Sequence, residues 1–220
     1  MKAGARGRLP FAVVAIAMAA PVAVAAGIAW NANSHHAPAV KTLPPAAGTA
    51  ASALRQVATA MEATVGYHFT GTVRSGGETI SITGEFAAPD RLHETLTAAG
   101  APPIERIVIG GRQYQRAGTA WQPVTGSSTT DPRATFGALV AATSVSAQPG
   151  GYAFTLAGTA ATQLVSGAPA RGTTVTGTVE VRAGTITDIA YRSADSSQTS
   201  VDFAYSDVGT APAITAPPTA

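Results

Sequence analysis

The sequence contains no cysteine. Disulfides, thiolate metal sites, a cysteine nucleophile and a lipid anchor on cysteine are therefore excluded. Charge is scarce as well. Asp, Glu, Lys and Arg make up 12% of the residues, against a usual share of about 25%. Aromatic residues account for only 6%, which leaves few large side chains to plug an interior. What remains is rich in Ala, Gly, Thr and Val. Small and β-branched residues in short alternating runs favour sheet over a helix bundle.

The basic balance has a local origin. There are 14 Lys and Arg against 12 Asp and Glu, but Lys2, Arg6 and Arg8 all precede an apolar segment, and no acidic residue occurs before Glu62. Setting residues 1–30 aside leaves 11 basic and 12 acidic residues, a formal charge of −1. Nucleic acid is excluded as a partner on this ground, because its footprint needs Lys and Arg clustered on one face. The segment from Phe11 to Trp30 carries no charge over 20 residues. Two readings of it stand. A cleaved signal peptide has its apolar region at 11–20, a break at Pro21, and a small-x-small cleavage site at Ala23-Val24-Ala25. A single membrane anchor uses all of 11–30, keeps its basic flank inside and places Trp30 at the outer interface. Both put the rest of the chain outside the cytoplasmic membrane.

Residues 31–48 read as a disordered linker, with Pro38, Pro44-Pro45 and no periodicity. His35 and His36 lie in it. Adjacent residues on a flexible linker make a poor chelate, so no metal is expected there. A helix is expected over 49–65, with Thr49 as N-cap and an apolar stripe of Leu54, Val57, Met61 and Val65. The period then changes to two. Strands are expected at 68–74, 79–86, 91–97, 104–109, 112–116 and 121–124. Ile80, Ile82 and Phe86 share one face, as do Leu92 and Leu96. Gly110-Gly111 supplies the positive φ angles of a hairpin; it lacks the Lys-Ser/Thr and following helix of a phosphate loop. Asp131-Pro132 starts a second helix with a face of Phe136, Leu139, Val140 and Thr143. Further strands are expected at 152–156, 173–182, 185–192 and 199–205, with a short helical turn at 160–166.

The fold class is α+β. Short turns between successive strands imply a curved, mostly antiparallel sheet of about nine to ten strands with helices packed in its concave face. An up-and-down barrel is the alternative, but it leaves the helices without a role. The domain should span 49–210, followed by a loose tail at 211–220.

Catalytic sets are missing. Outside the linker only His68 and His93 remain, both in expected strands, and no G-x-S-x-G elbow exists. Glu78, Glu85, Glu94, Glu105 and Glu180 are scattered along strands and turns, as solvated faces would place them. Asp207 precedes Val208-Gly209 as a turn. No enzyme activity, metal or cofactor is expected. Tyr114 and Trp121 are tempting binding residues, or else pack at the sheet edge.

Three segments carry a family resemblance: Gly66 to Val73 (GYHFTGTV), Ile104 to Val124 (IERIVIGGRQYQRAGTAWQPV) and Val201 to Pro218 (VDFAYSDVGTAPAITAPP). In their order and spacing they resemble the LolA/RseB-like superfamily, and within it the actinobacterial LppX/LprG-type lipoproteins. The resemblance covers most of 49–218. It implies a half-barrel with helices closing a hydrophobic cavity, and a carrier of acylated lipids or lipoproteins, or a sensor of envelope state. One departure is plain, since those lipoproteins carry a lipidated cysteine and this chain has none. The implied partner is a lipid or acylated ligand, with an envelope protein as the alternative and the membrane itself if the N-terminal segment is uncleaved. Strand alternation and the helix stripe nominate Leu54, Val57, Met61, Ile80, Ile82, Phe86, Tyr114, Phe136 and Val179 as ligand-cavity residues.

Overall fold

A computed structural model describes residues 48–116, 118–124, 133–158, 160–161, 174–194 and 199–218. The N-terminal segment, the linker with its two histidines, Asp131-Pro132 and most of the expected turn at 160–166 lie outside these residues.

Eleven strands form one antiparallel sheet, in the spatial order β6-β5-β4-β3-β2-β1-β11-β10-β9-β8-β7. The first half is a meander: β1 (Gly66–Ser75), β2 (Glu78–Ala87), β3 (Arg91–Ala98), β4 (Ile104–Ile109), β5 (Arg112–Arg116) and β6 (Trp121–Val124). The chain then crosses to the opposite edge and returns through β7 (Ser144–Gln148), β8 (Gly151–Ala157), β9 (Thr174–Arg182), β10 (Thr185–Ser193) and β11 (Ser200–Ser206). The last strand closes against the first, with Phe69 opposite Tyr205 and Val73 opposite Val201. Among the described residues two helices accompany the sheet, α1 (Thr49–Glu62) before it and α2 (Ala134–Val140) in the crossover. The fold is the expected curved α+β half-barrel. β6 and β7 are its free edges, so the barrel alternative does not hold.

Several expectations need correction. β7 is an additional strand: SVSAQ has one apolar side chain of any length, and four of its five residues are exposed, so no buried alternation marks it. Thr143 lies outside α2 and instead donates its backbone N–H to Thr155 at the start of the β7–β8 pairing. The first helix stops at Glu62, and its N-cap is Gly48, without a side-chain bond. Val65 is therefore off the stripe and 52% exposed. The buried face of α1 is Ala51, Leu54, Ala58 and Met61, the i, i+3, i+7, i+10 series of a helix.

Alternation sorts the strands into an inner face under the helices and an outer face. Tyr67, Phe69 and Val73 of β1, with Ile80, Ile82 and Phe86 of β2, join the main core. β10 keeps both Ile186 and Ile189 inside, three residues apart, only because a bulge lies between Ile186 and Asp188. The extra residue restores the face that strict alternation would have reversed.

Glycine is placed where aromatic rings need room. Gly71 lies opposite Phe203, Gly84 opposite Phe69 and Gly177 opposite Phe154. A Cβ on Gly71 would come within 2.4 Å of the Phe203 ring, and one on Gly177 within 2.7 Å of the Phe154 ring. Each ring lies over bare backbone of the neighbouring strand, an arrangement that lets a sheet bend around its inner face.

The C-terminal segment after β11 forms no strand or helix, yet it is fastened. The Gly209 N–H donates to Gly66 O, and Arg91 Nη1 donates to the Ile214 carbonyl at 3.0 Å. Ile214 is 2% exposed and packs with Ala87 and Ile107 on the outer face.

Candidate functional site: the helix-covered face

The inner face is apolar through most of its width. α1 packs on α2, β7 and β10, and α2 packs on β8. The helices approach closely at Gly137, where a Cβ would lie 3.4 Å from Glu62 Oε1. Phe136 is fully buried on α2 and meets an aromatic group from three strands. Its ring centroid lies 5.9 Å from Tyr67 and 5.3 Å from Tyr205, and Tyr67 lies 5.2 Å from Phe86. Such edge and tilted contacts add to the burial energy of the rings. Burial pushes the Tyr191 phenol far above its ordinary range, and likewise Tyr205, which also faces Tyr191. Both phenols stay neutral at any physiological pH, so the wall they belong to carries no charge.

Eight of the nine nominated residues come together in this layer. Leu54, Met61, Ile80, Ile82, Phe86, Phe136 and Val179 are all buried in the main core, and Val57 packs against it. Tyr114 does not join them. Its position on β5 opposes Ile107, which places it on the outer face, half-buried beside Trp121 and the Ala87–Ile107–Ile214 cluster. Tyr114 and Trp121 thus pack near the sheet edge, under the C-terminal segment.

A polar stretch interrupts the inner wall from β3 to β5. Glu94 on β3 is 1% exposed and Arg106 on β4 is 5% exposed. They sit directly opposite each other and form an ion pair. This corrects the expectation of a solvated Glu94. Gln115 and Gln113 continue the same face on β5, opposite Arg106 and Val108. The signal lay in alternation, since Glu94 stands between Leu92 and Leu96 on their own face.

The outer face holds most of the other charged groups of the strands. The four acids other than Glu94 are partly or fully exposed there and at turns. A groove of about 290 Å³ opens over β1, β11, β10 and β9, bordered by Thr70, Asp202, Asp188 and Glu180. Arg74 pairs with Asp202 at 3.2 Å beside it. Among the described residues no group of three or more His, Asp or Glu is placed to hold a metal ion, and no helix is long and apolar enough to cross a membrane.

Comparison with known proteins bears on the fold. No family model and no curated protein matches the chain. Solved structures do. The crystal structure of the lipoprotein LppX from Mycobacterium tuberculosis is similar at 14% identity and a TM-score of 0.57, covering 75% of this chain and 97% of that one. LprF from Mycobacterium bovis is similar at 16% identity and a TM-score of 0.50, covering 76% and 96%. A LolA superfamily protein from Nitrosomonas europaea aligns at 9% identity with a TM-score of 0.32, covering 73% and 93%. For the two mycobacterial lipoproteins the likeness is one of fold.

Proposed function

We propose that this chain is an extracytoplasmic, non-enzymatic binding protein that holds an acylated lipid or lipidated protein between the inner face of its sheet and the two helices. One observation carries the proposal. The inner wall is a broad apolar surface, uncharged from β1 to β2 and from β8 to β11, roofed by two short helices that lean toward β7, β8 and β10. An acyl chain would lie against Ile80 and Ile82 of β2 and Leu96 of β3. The Glu94–Arg106 pair, next along the same face between the Leu96–Ile104 and Leu92–Val108 pairs, would meet the ester or headgroup. Likeness to the mycobacterial lipoprotein fold supports the same reading. Residues 1–30 would export the chain, either cleaved after Ala25 or kept as an anchor.

The test is mass spectrometry of the organic extract from full-length protein purified natively from an actinobacterial host. The expected result is a co-purifying acylated lipid in stoichiometric amount. An empty, well-folded protein that also takes up no added fluorescent fatty acid would overturn the proposal. The second reading is a sensory or protein-interaction module of the envelope, favoured if the apolar segment proves to be retained as a tether.

A further inference from the structure

On the outer face, charged side chains form one line across the sheet. Asp207, just past β11, faces His68 Nδ1 on β1 at 2.9 Å. His68 Nε2 faces Glu85 Oε2 on β2 at 3.3 Å. The other oxygen of Glu85 faces His93 Nδ1 on β3 at 3.4 Å. His93 Nε2 faces Glu105 Oε1 on β4 at 2.9 Å. Glu105 pairs through its second oxygen with Arg116 on β5, and Arg116 lies over the Trp121 ring of β6 at 5.0 Å. Cross-strand register brings this about, because His68, Glu85 and His93 occupy directly opposed positions.

Counting protons shows what the line requires. Four imidazole nitrogens face four carboxylate oxygens, and carboxylates can only accept. Two neutral imidazoles have two N–H groups between them, so two of the four contacts would set a nitrogen lone pair against an anionic oxygen. Two imidazolium rings have four N–H groups and complete every contact.

We propose that the outer face carries a proton-operated clamp: with His68 and His93 both protonated, the line from Asp207 to Arg116 ties β1–β5 to the root of the C-terminal strap, and loss of those protons releases the strap. Asp207 is the coupling point. It has a positive φ of 52° and accepts the Thr210 N–H through its own carbonyl, next to the Gly209–Gly66 bond that starts the strap. Of the charged neighbours, Arg91 and Arg116 are cations that work against the imidazolium, and each is engaged elsewhere, Arg91 by the Ile214 carbonyl further along the strap and Arg116 by Glu105. Ser206 Oγ reaches Asp207 Oδ2 at 3.4 Å. Tyr114 of β5 packs with the Ile214 cluster. The strap covers Ala87 and Ile107, so the clamp governs whether that apolar patch is closed.

The experiment is amide hydrogen exchange of the full-length protein at about pH 5.5 and about pH 8, which bracket ordinary imidazole titration. Exchange is corrected for the intrinsic effect of pH. Protection at Gly209 and through Ile214 is expected to fall at the higher pH in the wild type. It is expected to be the same at both values in His68→Gln/His93→Gln, while β9–β10 amides stay unchanged in both proteins. A second measurement does not depend on the variant folding. Nitrogen-15 spectra of the imidazoles near pH 5.5 should show both ring nitrogens of both histidines protonated. Strap protection that is equal at the two pH values in the wild type, a pH response that survives in the double variant, or a singly protonated ring near pH 5.5 would each overturn the clamp.

Discussion

At the scale of single residues, the most consequential feature is the ion pair Glu94–Arg106. Two charges inside an apolar wall gain from each other, but each has lost its water. Removing one partner leaves the other buried and uncompensated. Glu94→Leu is expected to destabilise the fold by about 3–5 kcal/mol, whereas Glu94→Leu/Arg106→Leu should come close to wild type or exceed it. Urea denaturation of the three proteins checks this, and a single variant as stable as the double one would refute it. Glu105 makes a pH prediction of known sign. Its burial alone would raise the carboxyl, but hydrogen bonds and charge from His93 and Arg116 outweigh that and hold it below its ordinary value. The ionised form is thus favoured on folding. Its contribution is fully present above the unfolded value, near 4.3 for a Glu, and is lost as pH falls through the lower folded value. Glu105→Gln should lower stability most at neutral pH, where the contribution is full, and flatten the acid limb, so that the two stability-against-pH curves converge at low pH. The sequence could reveal that Glu94 alternates with Leu92 and Leu96. It could not reveal that β4 sets Arg106 opposite, because that depends on a register between strands.

Elements were legible in proportion to their periodicity. β1 through β6, β8 and β9 through β11 carry alternating apolar residues or tight turns, and all were expected to within about three residues of their ends, the usual margin for such boundaries. Gly110 and Gly111 show the reason at one turn: both have positive φ, 57° and 76°, as a two-residue hairpin of this hand requires. β7 was invisible because it is an exposed edge that pairs on one side only. Proline and small residues make 211–218 look loose in sequence, while the buried Ile214 side chain and the Arg91 bond to its carbonyl fasten the segment. Ile214→Ala should uncover Ala87 and Ile107 and cost about 2 kcal/mol, the low end for a buried Ile. Thermal melts would show it, and an unchanged midpoint would mean that the strap contributes nothing to stability. The glycine sites add a second element-scale prediction. Gly71→Ala pushes a methyl into the Phe203 ring and to 2.6 Å from Asp202 O. It should cost about 1–3 kcal/mol, as overpacking does.

At the scale of the whole molecule, two meanders start and end in the middle of one sheet, and only the crossover through α2 joins their outer edges. The helices lean to the β7–β10 side, so the β2–β4 side is where added volume has least helix to displace. That asymmetry makes Ile82 the most informative site. It is 2% exposed on β2, opposite Leu96 on β3. If the wall at Ile82 is an ordinary filled core, Ile82→Trp overpacks it. The midpoint of unfolding then falls by an amount worth about 1–3 kcal/mol, and any co-purifying lipid is unaffected. If an acyl chain lies against Ile82, the indole takes space the chain would occupy. Lipid stoichiometry then falls sharply while the empty variant keeps its unfolding midpoint. The second outcome is expected. Intact mass of the same preparations distinguishes carrier from sensor. Loss of residues 1–25 leaves a domain free to move between membranes with its cargo, whereas a retained apolar segment tethers it and favours reading a partner in place. A lipid-loaded, cleaved protein would support the carrier, and an empty, tethered one would support the sensor, because a fixed domain with a filled core has neither the reach nor the room for transport.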